Sequence, residues 1–101
     1  MPGFIKVATL AELPAGRTKS CSLDGTPVAL YNVDGEIFAT HGTCVHRGGP
    51  LGDGTLDGTK ILCPWHLWEY DVKTGECITN PDSRVACYPV RIDGEDVLIE
   101  I

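Results

Sequence analysis

Four residues of this 101-residue chain combine metal-binding side chains in a regular pattern. Cys44 and His46 form one pair, Cys63 and His66 form the other, and sixteen residues separate the two pairs. Thiolate sulfur and imidazole nitrogen both bind iron and zinc. A zinc finger would place two cysteines in one pair and two histidines in the other. Because each pair mixes the two types, the pattern favours a [2Fe–2S] cluster with two cysteines on one iron and two histidines on the other. A structural zinc site is the alternative.

The residues around the two pairs extend this pattern. Gly48, Gly49 and Pro50 follow the first pair, and Pro64 lies inside the second. With these neighbours, the motif C-x-H-x(16)-C-x-x-H resembles the Rieske iron–sulfur family. The resemblance covers nearly all of the chain and implies the soluble, low-potential ferredoxin branch. The small subunit of assimilatory nitrite reductase is also similar.

This resemblance implies one [2Fe–2S] cluster per chain and a role for each ligand. Cys44 and Cys63 would bind the buried iron, and His46 and His66 would bind the outer iron close to solvent. Without a cluster, the cysteines would be buried apolar residues and the histidines ordinary surface residues. In this family, backbone N–H groups of the two loops donate to the cluster sulfurs.

Residues beside the ligands are expected to support them. Gly42, Gly48 and Gly49 would let the first loop close around the sulfurs, since glycine has no Cβ, although Gly42 could equally be an ordinary turn residue. Arg47 should lie at the exposed tip, where it either raises the potential by attracting the added electron or is simply solvated. His41 lies off the motif and is expected to be a surface histidine that binds no metal.

Departures from the family pattern predict a low potential. High-potential members carry cysteines at the places of Gly49 and Trp65, which form a disulfide between the loops, and a serine donor at the place of Trp68. Tyr70 is retained and is expected to donate to a cysteine sulfur. Trp65 and Trp68 flank His66 and could shield the cluster from water, with one of the two indoles serving as plain core packing. Because fewer donors destabilise the more negative reduced cluster, the potential should lie toward the low end of the Rieske range of about −150 to +300 mV.

The elements that must position these residues are predicted to be β-strands. Asp-Gly pairs recur along the chain, and Asp-Gly between alternating or β-branched runs is the strongest short-range hairpin signal. These pairs occupy positions 24–25, 34–35, 53–54, 57–58 and 93–94. A capping-box spacing from Thr9 to Glu12 predicts one helical turn. Strands are predicted over residues 4–7, 17–23, 27–33, 36–40, 59–63, 69–71, 76–79, 84–92 and 96–101. The predicted fold class is all-β.

The length predicts a single domain over residues 1–101. Residues from about 41 to 81 contain all four ligands and both tryptophans, so they are expected to form the cluster-binding part. The flanking hairpins would form the base sheets. The resemblance implies stacked antiparallel sheets with a cluster-binding subdomain built from two loops.

Composition and charge limit the partners and the compartment. A formal charge of −6 argues against nucleic acid and anionic membranes as partners. The chain starts without the pattern of a leader peptide and has no apolar run long enough to span a membrane, so a cytoplasmic location is expected. Three cysteines, at positions 21, 77 and 87, lie outside the motif and are interpreted as reduced core thiols. A disulfide between Cys77 and Cys87 is conceivable, but a reducing compartment disfavours it.

Two functions follow from the resemblance. The first is a one-electron carrier, monomeric when free, that passes electrons from an NAD(P)H-dependent flavoprotein reductase to a terminal oxygenase of the ring-hydroxylating dioxygenase type. The second is the small subunit of an NAD(P)H nitrite reductase, bound to the large subunit. Four intact ligands favour the carrier, because that second branch often lacks them. The chain is not an oxygenase by itself, because a second iron needs two histidines and a carboxylate and only His41 remains. The chain alone should therefore turn over no substrate.

Overall fold

The computed structural model describes residues 3–44, 49–65 and 68–100. These ranges form ten β-strands and two short 3-10 turns, Leu10–Glu12 and Leu51–Asp53. In chain order the strands are β1 (Ile5–Thr9), β2 (Thr18–Leu23), β3 (Thr26–Val33), β4 (Glu36–His41), β5 (Thr55–Asp57), β6 (Lys60–Leu62), β7 (Glu69–Asp71), β8 (Cys87–Tyr88), β9 (Val90–Asp93) and β10 (Asp96–Ile99). The all-β prediction is confirmed. Over the described ranges, no helix is long and apolar enough to cross a membrane.

The strands form three antiparallel sheets. The orders are β1-β10-β9, β2-β3-β4-β8 and β5-β6-β7. The first sheet joins the two ends of the chain, and the third is built from the short strands around the second metal-binding pair.

Asp-Gly pairs make four of the hairpin turns. Asp24-Gly25 and Asp34-Gly35 occupy the two central positions of their turns, with φ of 52° and 83° in the first pair and 52° and 96° in the second. Positive φ at both positions is typical of type I′ turns. At 57–58 and 93–94 the aspartate ends the strand and glycine comes first in the turn, with φ of 62° and 64°. Asp53-Gly54 is the exception, because Gly54 has φ of −80° and ends the second 3-10 turn, so this Asp-Gly pair makes no hairpin.

Two strand predictions need correction, and one strand was missed. Residues 76–79 form no strand, and Glu76 and Cys77 make single bridges to Arg84 and Tyr70. The predicted strand 84–92 is split into β8 and β9 at Pro89, which has no N–H to donate to a ladder. Strand β5 was not predicted, because its three residues lie between the Asp-Gly pairs at 53–54 and 57–58, which are turn signals.

Strand β3 contributes to two separate cores. Val28 and Leu30 face the core between the first two sheets, together with Val97 and Ile99 of β10. On the opposite face, Ala29 and Tyr31 pack in a core that contains both motif cysteines, which we call the cysteine core. Its buried members are Ala29, Tyr31, Cys44, Leu51, Ile61, Cys63, Tyr70, Val72, Cys77 and Val85. Strand β3 is therefore buried on both faces, and one of these faces packs against the motif cysteines.

Candidate metal centre

Two loops carry the motif cysteines, and each loop is closed at its base. The first loop (residues 42–50) connects β4 to the second 3-10 turn, and the second loop (residues 63–68) connects β6 to β7. In the first loop, the backbone N–H of Cys44 donates to the carbonyl of Gly49 at 2.8 Å. In the second, the N–H of Cys63 donates to the carbonyl of Trp68 at 2.7 Å. These bonds direct both cysteine side chains into the cysteine core.

Cys44 and Cys63 are side by side and buried, with 1% and 0% of their surface exposed. Burial raises the pKa of the Cys63 thiol, and the neighbouring Cys44 thiol raises it further, whereas the backbone N–H of Trp65 donates to Cys63 and lowers it. Bound iron would replace the thiol proton and hold the sulfur as thiolate. Two adjacent sulfurs in a dry setting fit the cysteine half of a [2Fe–2S] cluster.

The other two predicted ligands, His46 and His66, lie outside the described residues. Arg47 and Gly48 lie outside them as well. Within the described ranges, no group of three or more metal-binding side chains occurs. The four-residue ligand set therefore stays a prediction.

Tyr70 is placed to support Cys44. Its phenol oxygen lies 3.1 Å from Cys44 Sγ, and its side chain is fully buried. Strand β7 positions this ring through pairing of Tyr70 with Ile61 of β6. The predicted contact between Tyr70 and a cysteine sulfur is therefore present.

The two tryptophans have different environments. Trp68 is partly buried and packs against the cysteine core, whereas half of the Trp65 surface is exposed. The structure thus identifies Trp68 as the packing residue, which the sequence did not decide.

The two described glycines of the first loop serve different contacts. A Cβ at Gly49 would lie 2.8 Å from Cys63 Sγ, so this glycine admits the sulfur as predicted. A Cβ at Gly42 would instead lie 2.8 Å from the backbone nitrogen of Val28. Gly42 is needed for close approach to β3, where its N–H donates to the carbonyl of Pro27 at 2.9 Å.

His41 has a structural contact that sequence reasoning missed. It is partly buried, and its Nδ1 accepts a hydrogen bond from the backbone N–H of Thr43 at 3.2 Å. The imidazole thus fixes the turn that leads into Cys44. The expected surface position is only partly buried, and the hydrogen bond was not predicted, because spacing from the motif says nothing about contacts with the backbone.

Comparisons with known proteins agree with this geometry. The family described as Rieske [2Fe-2S] domain matches residues 3–89. The ferredoxin component of a naphthalene 1,2-dioxygenase system from Pseudomonas aeruginosa is 37% identical over 99 residues, which cover 97% of this chain and 95% of that protein. The Sphingomonas yanoikuyae B1 ferredoxin structure has a TM-score of 0.89 at 33% identity, covering 97% of this chain and 98% of the other.

A further solved structure shows a similar chain in an assembly. It is described as a complex of reduced oxygenase and oxidized ferredoxin in carbazole 1,9a-dioxygenase, and the matched chain has a TM-score of 0.89 at 28% identity. The match covers 99% of this chain and 94% of that one. The predicted Rieske ferredoxin resemblance, the stacked all-β fold and the [2Fe–2S] cofactor are confirmed.

Proposed function

This chain belongs to the Rieske [2Fe-2S] domain family, and we propose that it carries single electrons from an NAD(P)H-dependent flavoprotein reductase to the terminal oxygenase of a ring-hydroxylating dioxygenase system. The observation that carries this proposal is the adjacent, buried pair of Cys44 and Cys63 in a chain similar over nearly its whole length to a dioxygenase ferredoxin. When bound, the cluster supplies a one-electron couple.

Cys44 and Cys63 would hold the buried iron of this cluster, and His46 and His66 would hold the outer iron. Residues from about 41 to 81 make up the cluster-binding part of the single domain. Tyr70 stabilises the negative charge that reduction adds, because its hydroxyl can donate to Cys44 Sγ. The surrounding apolar side chains exclude water from the cysteine side.

The partners are two redox proteins that the carrier meets in turn. The complex of oxygenase and ferredoxin in carbazole 1,9a-dioxygenase supports an oxygenase as the acceptor. A net charge of −6 favours basic docking surfaces on both partners and disfavours nucleic acid and membranes. The carrier is monomeric when free, works in the cytoplasm and turns over no substrate by itself.

The similarity to dioxygenase ferredoxins favours this carrier over a nitrite reductase subunit or a zinc module. Reconstitution tests the choice directly. Iron-replete protein should contain two irons and two acid-labile sulfides per chain, as a [2Fe–2S] cluster requires, and should accept one electron. Added to a flavoprotein reductase and a ring-hydroxylating oxygenase with NAD(P)H, it should restore substrate oxidation. A colourless protein with stoichiometric zinc would refute the proposal, and so would a cluster-loaded protein that restores only nitrite reductase activity.

A further inference from the structure

Gly49 lies where the two loops touch. It is buried, and its carbonyl closes the first loop by accepting the N–H of Cys44. A Cβ at this position would lie 2.8 Å from Cys63 Sγ, 3.0 Å from Trp65 Cγ and 3.1 Å from Trp65 Cβ. One backbone segment of the first loop therefore faces both a metal-binding sulfur and an indole of the second loop.

Trp65 reaches this place from the loop tip. Half of its surface is exposed, and the Cβ and Cγ end of the side chain lies over Gly49. Its backbone N–H also donates to Cys63, so the same residue contacts the sulfur from one side and covers Gly49 on the other. No disulfide joins the five cysteines, all of which lie in the described ranges, so packing between the loops must supplement the proposed cluster in holding them together.

We propose that the contact between Trp65 and Gly49 is the clamp that holds the two cysteine loops together and seats Cys63. Trp65 is a positioning residue in this view: it acts on the metal site through Gly49 and Cys63. This inference rests on the proposed function, because the Cys63 thiolate is one of the two that would bind the buried iron. It predicts that the effect of a substitution at position 49 depends on the residue at position 65, and the reverse.

A local effect of the contact between Trp65 and Gly49 can be distinguished from a general loss of stability. Packing lost at Trp65 should open the first loop at the Cys44 N–H, because that N–H is bonded to Gly49. Strands β1 and β10 contribute buried side chains to the opposite core, with no buried side chain in the cysteine core, and should not respond. Ile92 provides a matched control, since 44% of its surface is exposed and it lies on β9 in the first sheet.

The experiment compares Trp65→Ala, Trp65→Phe, Gly49→Ala and Ile92→Ala as cluster-loaded proteins. Cluster loss is followed by bleaching of the visible absorbance in the presence of a chelator, and loop opening by hydrogen-exchange mass spectrometry. Trp65→Ala should lose its cluster about tenfold faster and exchange faster over the first loop, whereas Trp65→Phe, which keeps a ring over Gly49, should stay within about threefold of the wild type. Ile92→Ala should match the wild type in both measurements.

The double variant Gly49→Ala/Trp65→Ala completes a cycle. The methyl group at position 49 meets Trp65 and Cys63 together, so the effects of the two changes on the rate of cluster loss should deviate from additivity by at least about twofold. Additive effects, or exchange that is faster in β1 and β10 as well as in the first loop of Trp65→Ala, would overturn the clamp. If Trp65→Ala is isolated without a cluster but with native exchange in β1 and β10, while Trp65→Phe retains its cluster, the clamp is supported. Failure of the wild type to pass electrons would defeat the proposed function and leave these coupling results unaffected.

Discussion

The phenol oxygen of Tyr70 lies 3.1 Å from Cys44 Sγ in a part of the core where neither side chain meets water. Twenty-six positions separate the two residues along the chain. A hydrogen bond to a sulfur is stronger when that sulfur carries more negative charge, so with Cys44 as the proposed ligand this contact would stabilise the reduced state of a bound cluster more than the oxidised state.

Tyr70→Phe should therefore lower the reduction potential. If the hydrogen bond differs by about 1 kcal/mol between the two redox states, the shift is on the order of 50 mV downward for one electron. Protein-film voltammetry measures it. Tyr31→Phe is the matched control, since Tyr31 is a second fully buried phenol in the cysteine core, bonded to Thr40 Oγ1 at 2.8 Å. That change should cost about 1 kcal/mol of stability and leave the potential in place. Equal shifts in both variants would show that the Tyr70 hydroxyl has no special effect.

Trp68→Ser should raise the potential. The high-potential branch has a serine donor at this position, and a new hydrogen bond with about 1–2 kcal/mol of preference for the reduced state corresponds to an upward shift on the order of 50–100 mV. Trp68 is only partly buried, so the loss of stability should stay below the roughly 3–5 kcal/mol of a fully buried tryptophan. Trp68→Ala removes the same indole but adds no hydroxyl. It therefore separates the effect of water entering the site from the effect of a hydrogen bond donated by serine. A serine variant with the same potential as the alanine variant would contradict the donor argument.

The assignment of the cysteines predicts different outcomes for three buried thiols. Cys44→Ser and Cys63→Ser should each lose the cluster, because the thiolate ligand is removed. Cys77→Ser should keep it, although Cys77 is also buried in the cysteine core and its sulfur accepts the N–H of Asn80 at 3.3 Å. Iron content and visible absorbance of the purified variants measure this. Loss of iron from Cys77→Ser in a folded protein would mean that the ligands are wrongly assigned.

The histidine assignment can be tested against His41. His46→Ser and His66→Ser should abolish the iron-replete cluster, whereas His41→Asn should retain it. His41→Ala should lose the cluster faster than His41→Asn, because the side-chain oxygen of asparagine can accept the N–H two residues ahead, as His41 Nδ1 accepts that of Thr43. EPR of the reduced proteins and the rate of bleaching provide the two readouts. Identical bleaching rates for His41→Ala and His41→Asn would remove the role assigned to this hydrogen bond.

Local chemistry determined what the sequence could predict. Asp24-Gly25 and Asp34-Gly35 predicted their hairpins because the positive φ of those turns depends on the residues in them. The mixed pairs of cysteine and histidine favoured a [2Fe–2S] cluster over zinc because ligand type follows from the chemistry of the metal, and the resemblance of the whole motif supplied the family. Even the contact of Tyr70 with a cysteine was predicted, although by resemblance to the family.

Tertiary structure decided the contacts between distant segments. Nothing local distinguishes Trp65 from Trp68, and their burial depends on which one meets the cysteine core. The missing Cβ of Gly42 allows close contact with the backbone of Val28 in β3, and the missing Cβ of Gly49 allows close contact with Cys63 in the other loop. The split at Pro89 also depends on pairing, because a missing N–H matters only where a neighbouring strand would have accepted it. Such contacts depend on which distant segments of the chain meet in the folded protein. Neither composition nor the spacing of residues within one segment determines this.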